Sequence, residues 1–476
     1  MSTSPEPIDP SKPTARLGLW DAVSIIIGIV VGTSIFKTPG LICQNVSGTW
    51  EMVAVWALGG VLSLVGAMCY AELATTYPRS GGDYVYLTRA FGSWLGFLFG
   101  WAQLAVILTG SIGVMAFAFA DYAIPLFNLP ADQSATLAMG AVCLLTVVNL
   151  LGVVVGKWMQ NILSVCKVVG LAGILIAGIY VGGKLPLSVV SVDHFPGLGM
   201  AMIFVLYAYG GWNDAAFVAA EVRDIERNLP RALIFGIGGI AVLYILINLA
   251  YVWGLGFENL RNSYAPAADL LKVALGDHAG RAMSALVVVS ALGAINGLVF
   301  TGSRVYATLG EDHRLFSVLA RWNHRLGAPI WSLLVQALIA IGLILAVGTE
   351  AGRNGMDNTL LALVGKTMPW ERYFGGFDTL LAGTAPVFWL FFLLTGVSLF
   401  VLRFKDGNRP RPFRVPFYPI TPLLFCATSL FMLYSSLAYA KYLTLLGIVP
   451  LALGIPLYLW SGKSQQSVGI NENGDT

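Results

Sequence analysis

Gly32-Thr33-Ser34-Ile35-Phe36 interrupts the apolar segment 19–42 at its centre, and Tyr209-Gly210-Gly211-Trp212-Asn213 interrupts the segment 199–220 in the same manner. Each break comes early in its half of the chain. Inside a bilayer an unsatisfied backbone N–H or C=O is costly, so an unwound helix persists only where protein, water or a bound solute supplies partners. Two such breaks at corresponding places predict one shared cavity built around a solute.

Outward from the breaks the chain is apolar. Of its 476 residues 57% are hydrophobic and 11% charged, with a mean hydropathy of +0.75; a soluble domain carries about 25% charge. Runs of about 20 residues, enough to cross about 30 Å of hydrocarbon, fall near 19–42, 52–77, 92–121, 135–155, 158–182, 199–220, 231–255, 283–308, 330–348, 379–402, 420–439 and 442–460. The expected fold is an all-α integral membrane protein of about 12 transmembrane helices in the lipid bilayer. A net charge of +3 is too small to argue for nucleic acid.

Residues 1–18 are polar, with Pro5, Pro7, Pro10 and Pro13, and lack a short apolar stretch ending in a cleavage site. They read as a cytosolic tail, and the polar residues 461–476 as a second. With the amino terminus inside, about twice as many of the 28 Lys and Arg fall on the inner side as on the outer, which predicts both termini cytosolic. The outer segments 257–281 and 349–378 contain amphipathic pieces such as Ala267-Ala268-Asp269-Leu270-Leu271-Lys272, read either as surface helices lidding a vestibule or as connecting loops. Cys43, Cys69, Cys143, Cys166 and Cys426 have neither disulfide nor zinc spacing and read as small buried hydrophobes. No metal and no cofactor are expected.

The polarity of the broken helices defines a ligand. The first helix runs outward, so its inner half ends near Val30 and Val31 in free carbonyls and its outer half starts near Ser34 in free N–H groups. The sixth runs inward, its outer half ending near Tyr207 and Ala208 and its inner half starting after Gly211. Each break therefore sets a positive helix start beside a negative helix end. A carboxylate on the N–H groups of Thr33, Ser34 and Ile35, aided by the first two hydroxyls, would replace the missing helical acceptors. An ammonium would sit on the carbonyls of Val30, Tyr207, Ala208 and Gly210.

Several stretches bear a resemblance. Val31-Gly32-Thr33-Ser34-Ile35-Phe36, Cys69-Tyr70-Ala71-Glu72-Leu73, Tyr77-Pro78-Arg79-Ser80-Gly81-Gly82-Asp83-Tyr84-Val85-Tyr86, and Ala208-Tyr209-Gly210-Gly211-Trp212-Asn213 through Arg227-Asn228-Leu229-Pro230-Arg231 resemble the L-type amino acid transporter family of the amino acid, polyamine and organocation superfamily. The resemblance covers about residues 17–440. It implies a LeuT-like 5+5 inverted repeat, with discontinuous helices 1 and 6, over residues 19–182 and 199–402, plus peripheral helices at 420–460. It also implies alternating access, obligatory exchange, and a substrate site of Val30, Gly32, Thr33, Ser34, Ile35, Tyr207, Ala208, Gly210, Trp212 and Asn213. Two departures stand out: Ser34 replaces a glycine common in the family, and residues 122–134 lack the cysteine through which animal members join a single-span heavy chain. No disulfide-linked heavy chain is expected.

Lys167 lies about 15 Å into the fifth helix, too deep for easy snorkelling, and is a functional candidate by its depth. The resemblance places it where relatives hold sodium, with hydrogen bonds expected to carbonyls near Gly28 and to Ser290. As a fixed charge it makes transport sodium-independent, as a proton carrier it couples transport to protons, and as a structural lysine it does neither. Trp212 is read as a gate or as packing. Glu72, Asp214 and Glu221 are expected to face a cavity or a cation, and Glu221, Arg223, Glu226, Arg227 and Arg231 form either a cytosolic gate or a solvated charge cluster. His194, His278, His313 and His324 are scattered in loops, which argues against an enzyme, and unlike halves in one chain argue against a channel. The expected function is sodium-independent exchange of neutral, large amino acids in the plasma membrane, with proton-coupled uptake of a small amino acid or amine as the alternative.

Overall fold

The computed structural model describes residues 18–78, 81–151, 153–182, 197–213, 222–323, 328–368, 370 and 375–461. Its named elements are all helical. The first half holds α1 (Leu19–Val30), α2 (Ser34–Cys43), α3 (Thr49–Thr76), α4 (Asp83–Phe91), α5 (Ser93–Ala102), α6 (Leu108–Phe127), α7 (Ser134–Leu150) and α8 (Val153–Val181). The second holds α9 (Leu198–Tyr209), α10 (Ile225–Leu255), α11 (Phe257–Arg261), α12 (Pro266–Leu275), α13 (Asp277–Asp312), α14 (Ile330–Gly348), α15 (Glu350–Val364), α16 (Gly376–Lys405), α17 (Ile420–Ala440) and α18 (Leu445–Trp460). A π-helical turn, Gln103–Ile107, joins α5 to α6.

Apolar runs become helices here because lipid offers no partner for a backbone N–H or C=O, whatever the side-chain propensities. Eight stretches among the described residues are long and apolar enough to cross a bilayer, and one of them, Ile420–Trp460, contains both α17 and α18. In the most apolar 18-residue part of Ser93–Phe127 89% of residues are buried, against 22% in that of Ile420–Trp460, which makes α5–α6 the axis of the bundle and α17–α18 its periphery. Around that axis α6 packs on α13 and α16, while α10 packs on α1, α3 and α8.

The amphipathic outer pieces are helices α11, α12 and α15. α11 and α12 pack against α2 so closely that a Cβ on Gly40 would lie 2.6 Å from the Ser263 carbonyl oxygen, and Gln44 Nε2 donates to the Arg261 carbonyl at 3.0 Å. Cys43 and Cys69 are buried as expected, but Cys143 is exposed on α7 beside exposed Leu144 and Val147. That helix turns an apolar face to lipid, where a thiol is as much at home as in a core.

Glu72 meets the expected cation. It is buried near the end of α3, where Arg403 of α16 grips it with Nε and Nη2 at 2.7 and 2.5 Å. Arg411 Nε lies 3.4 Å away, and the Val415 N–H donates at 2.7 Å. Asp214 and Glu221 lie outside the described residues, as do Arg79, Ser80, residues 1–17 and residues 462–476.

The bent connection after α3 ends in a short helix the sequence did not reveal. Gly81 and Gly82 take φ of +117° and +49°, a region that L side chains rarely adopt, and turn the chain into α4. Asp83, its first residue, is buried and accepts from the hydroxyls of Tyr70 and Thr395, the latter at 2.7 Å. Burial outweighs those hydrogen bonds and pushes the Asp83 carboxyl up to about 6. The folded chain thus binds this proton more tightly than the unfolded chain, so the contribution of Asp83 to stability falls as pH rises from about 4 through about 6. Asp83→Asn keeps an oxygen for both hydroxyls without a buried charge. It is expected to raise the melting temperature of purified protein by a few degrees at pH 7.5 and to leave it unchanged at pH 4.5; equal effects at both pH values would refute the account.

Candidate functional site

α1 stops at Val30 and α2 starts at Ser34, so the first break falls where the glycine and the polar pair predicted it. Across it, Val31 N–H still reaches the Ile27 carbonyl at 2.8 Å, and Gly32 N–H turns back onto the Val30 carbonyl at 2.7 Å. Among the described residues no carbonyl accepts from the N–H groups of Thr33, Ser34 or Ile35. Three consecutive donors at a helix start form an anion cradle. The second break follows α9 at Gly210 and Gly211, with Gly211 at φ +100° and the Gly210 N–H on the Tyr207 carbonyl at 3.0 Å.

Between the breaks lies a cavity of about 210 Å³. Six of the ten predicted substrate residues line it: Val30, Gly32, Ser34, Tyr207, Gly210 and Asn213; Lys167 lines it as well. Thr33, Ile35, Ala208 and Trp212 are buried but outside its lining. The Thr33 hydroxyl is buried without a hydrogen-bond partner among the described residues, so at this break the side chain of Ser34, not that of Thr33, faces the open space. Ser34 Oγ stands 3.6 Å from where a Gly32 Cβ would be.

The geometry bears on two further readings, favouring packing over gating for Trp212. Trp212 does not wall the cavity; its ring packs edge-on to Tyr70 at 5.1 Å and to Phe392 at 5.6 Å, and it comes so near α3 that a Cβ on Gly66 would lie 2.7 Å from it. A flat ring wedged between helices gains more from burial than from lining a wet cavity. The bond from Lys167 to Ser290 is not made: among the described residues Ser290 Oγ is buried without a partner. Lys167 itself is buried at the fifteenth position of α8, about 21 Å along it. At the start of α10, Glu226, Arg227 and Arg231 are exposed and form no ion pair with one another, which favours the solvated cluster over the gate for these three residues.

Sequence reasoning missed Tyr244. From α10 its hydroxyl lies 3.0 Å from the Val30 carbonyl and 3.3 Å from the Ala208 carbonyl, bridging the two ends that the breaks leave free. Among the described residues the Val30 oxygen has two donors, the Gly32 N–H and the Tyr244 hydroxyl, matching its two lone pairs, and the Tyr207 and Ala208 oxygens each accept one bond, from the Gly210 N–H and the Tyr244 hydroxyl respectively. Also unpredicted are the polar lining groups Gln103, Ser111, Thr301 and Thr384, and the aromatic pair Phe388 and Trp389. The signal for Gln103 was present: an amide deep in an apolar run is costly unless it faces a cavity, and the π turn there is itself a local departure of a kind frequent at functional sites.

Tyr207 also belongs to a cluster of charge and rings. Tyr207 meets Phe377 edge-on at 6.1 Å, Lys37 Nζ lies 4.5 Å from the centre of the Phe377 ring, and Lys37 pairs with Asp121. These contacts join α2, α6 and α16 beside Tyr207.

Comparison with known proteins agrees with this geometry. A family model described as amino acid permease matches residues 17–456. The chain is 30% identical over 439 residues to the human b(0,+)-type amino acid transporter 1, covering 88% of this chain and 81% of that protein. It is 33% identical over 458 residues to the mouse large neutral amino acids transporter small subunit 2, covering 93% and 80%. An interrupted first helix, the glycine turn that ends α9, a cavity between them and likeness over nearly the whole length of two transporters lead to one assignment: the chain is an amino acid permease of the L-type amino acid transporter family, within the amino acid, polyamine and organocation superfamily.

Proposed function

We propose that the protein exchanges large neutral L-amino acids across the plasma membrane without sodium, by alternating access, with both termini in the cytosol. The observation that carries this reading is the row of three N–H groups, Thr33 to Ile35, without a carbonyl acceptor among the described residues, its middle residue Ser34 lining the same cavity as Val30 and Tyr207 at the opposing helix ends. A zwitterion satisfies both sets at once, the carboxylate on the row and the ammonium on the Tyr207 and Ala208 oxygens. The two relatives' names, one of them naming large neutral amino acids, support the same substrate class. In this reading about twelve helices form two inverted repeats, residues 19–182 and 199–402, with 420–460 peripheral.

Side-chain preference follows from the lining. A cavity of about 150 Å³ already takes a benzene ring, and this one holds about 210 Å³. Ile107, Leu108, Ile203, Leu381, Phe388 and Trp389 supply apolar surface, and none of the described lining residues carries a carboxylate. A cationic side chain would find Lys167 there instead of a partner. The same ammonium, fixed in α8, takes the part a sodium ion would play.

Counterflow in proteoliposomes tests the reading: unlabelled leucine inside is expected to accelerate entry of labelled leucine at least tenfold, equally in sodium and in choline buffers. A sodium requirement would refute it, and acceleration by an acid-outside gradient without any effect of internal leucine would favour proton-coupled uptake. Ser34→Leu places a bulky group over the N–H row and is expected to weaken leucine binding, read by thermal shift, by about a hundredfold or more, through lost charge-assisted hydrogen bonds. Wild-type affinity in that variant would place the substrate elsewhere.

A further inference from the structure

We propose that a basic basin where the end of α16 meets α4, remote from the transport cavity, binds the phosphate headgroup of an anionic membrane lipid. The basin holds about 460 Å³ and is lined by Arg89, Phe404, Lys405, Asp406, Gly407, Asn408 and Arg409. Three cations and one acid face it, and the acid is already engaged. Asp406 Oδ2 accepts from Arg89 Nε and from the Tyr77 hydroxyl, each at 2.7 Å. Burial works against its charge, but these hydrogen bonds hold its carboxyl below the usual range.

The cations are set in advance. The guanidiniums of Arg89 and Arg409 lie 5.1 and 4.8 Å from the centre of the Tyr77 ring. Arg409 Nε donates to the Thr76 carbonyl at 3.0 Å and Lys405 Nζ to the Ala90 carbonyl at 2.8 Å. Each anchor uses one donor and leaves others, so little side-chain freedom remains to be lost when an anion arrives. Gly407 and Asn408 complete the lining.

Position selects a lipid over a soluble phosphate. α16 is one of the stretches able to cross the bilayer and ends at Lys405, so the basin lies where a spanning helix leaves hydrocarbon. Phe404 beside it is 91% exposed and Phe417 is 82% exposed. Phe417 is held near the same helix end because Tyr418 stacks on Phe400 at 5.7 Å and lies under Arg403 at 3.7 Å. Exposed rings flanking unspent cations at a bilayer boundary match acyl chains beside a phosphate.

The full-length protein, in nanodiscs of phosphatidylcholine with or without phosphatidylglycerol, provides the test, read by melting temperature and by lipid retained in native mass spectrometry. Phosphatidylglycerol is expected to raise the melting temperature and to be retained. Lys405→Gln with Arg409→Gln is expected to weaken retention about thirtyfold, from about fivefold per basic residue, and Lys405→Arg with Arg409→Lys to restore it. An unchanged melting temperature in pure phosphatidylcholine shows that the variants fold, whatever their transport. Retention undiminished by the double Gln substitution, no stabilisation by phosphatidylglycerol, or equal stabilisation by inorganic phosphate would each overturn the proposal.

Discussion

Tyr244→Phe is expected to lower amino acid exchange by about tenfold to a hundredfold while shifting the melting temperature by no more than a few degrees. The ring packs edge-on to Trp56 at 5.5 Å and near Tyr209 at 5.2 Å, and phenylalanine keeps both contacts. Only the hydroxyl is lost. Its single proton is shared between the Val30 and Ala208 carbonyls, so its removal leaves the Ala208 oxygen without that donor and the Val30 oxygen with the Gly32 N–H alone. A buried polar group deprived of its partner costs about 1–3 kcal/mol, and each 1.4 kcal/mol is tenfold in an equilibrium.

In the proposed mechanism that cost falls on the two segments that hold the substrate and then move. An ordinary packing tyrosine would show the opposite pattern, a lower melting temperature with normal exchange, and that result would remove Tyr244 from the site. Initial rates of labelled leucine exchange, set beside thermal melts in the same lipid, separate the two.

Much of this site was legible because the bilayer simplifies the sequence. Apolar runs have to be helical there, so a glycine flanked by polar residues in mid-run stands out, and the end of α1 at Val30 and the start of α2 at Ser34 fell where Gly32 put them. The same reasoning found the need of Glu72 for a cation but not which one. Arg403 and Arg411 are more than 300 residues away, and no local pattern names them. Tyr244 was hidden for a different reason: tyrosine in a long apolar helix is ordinary, and its bridge exists only once three helices meet. Trp212 was left between gate and packing because spacing puts a residue near a break without saying which way its ring turns. α4 was missed because nine residues after a glycine pair carry too little periodicity to separate helix from bend.

Glu72→Gln is expected to destabilise the protein by about 3–5 kcal/mol, enough to lose most of the folded material in detergent. Glutamine can still accept from the Val415 N–H, but it cannot answer two guanidiniums. Arg403 is gripped by both carboxylate oxygens, and the Arg411 side chain is 9% exposed, so both charges would remain largely out of water without an anion. The cost of a severed buried pair lies mostly in the charge left behind, not in the attraction lost. It follows that Glu72→Gln with Arg403→Met should recover part of the stability, since it removes one stranded cation along with its partner, and Arg411→Met in addition should recover more. Melting temperatures ranked single, double, triple from lowest to highest would establish that this cluster clamps α3 to the end of α16 by charge compensation. A single variant that melts with the wild type would mean that apolar packing alone holds those ends together.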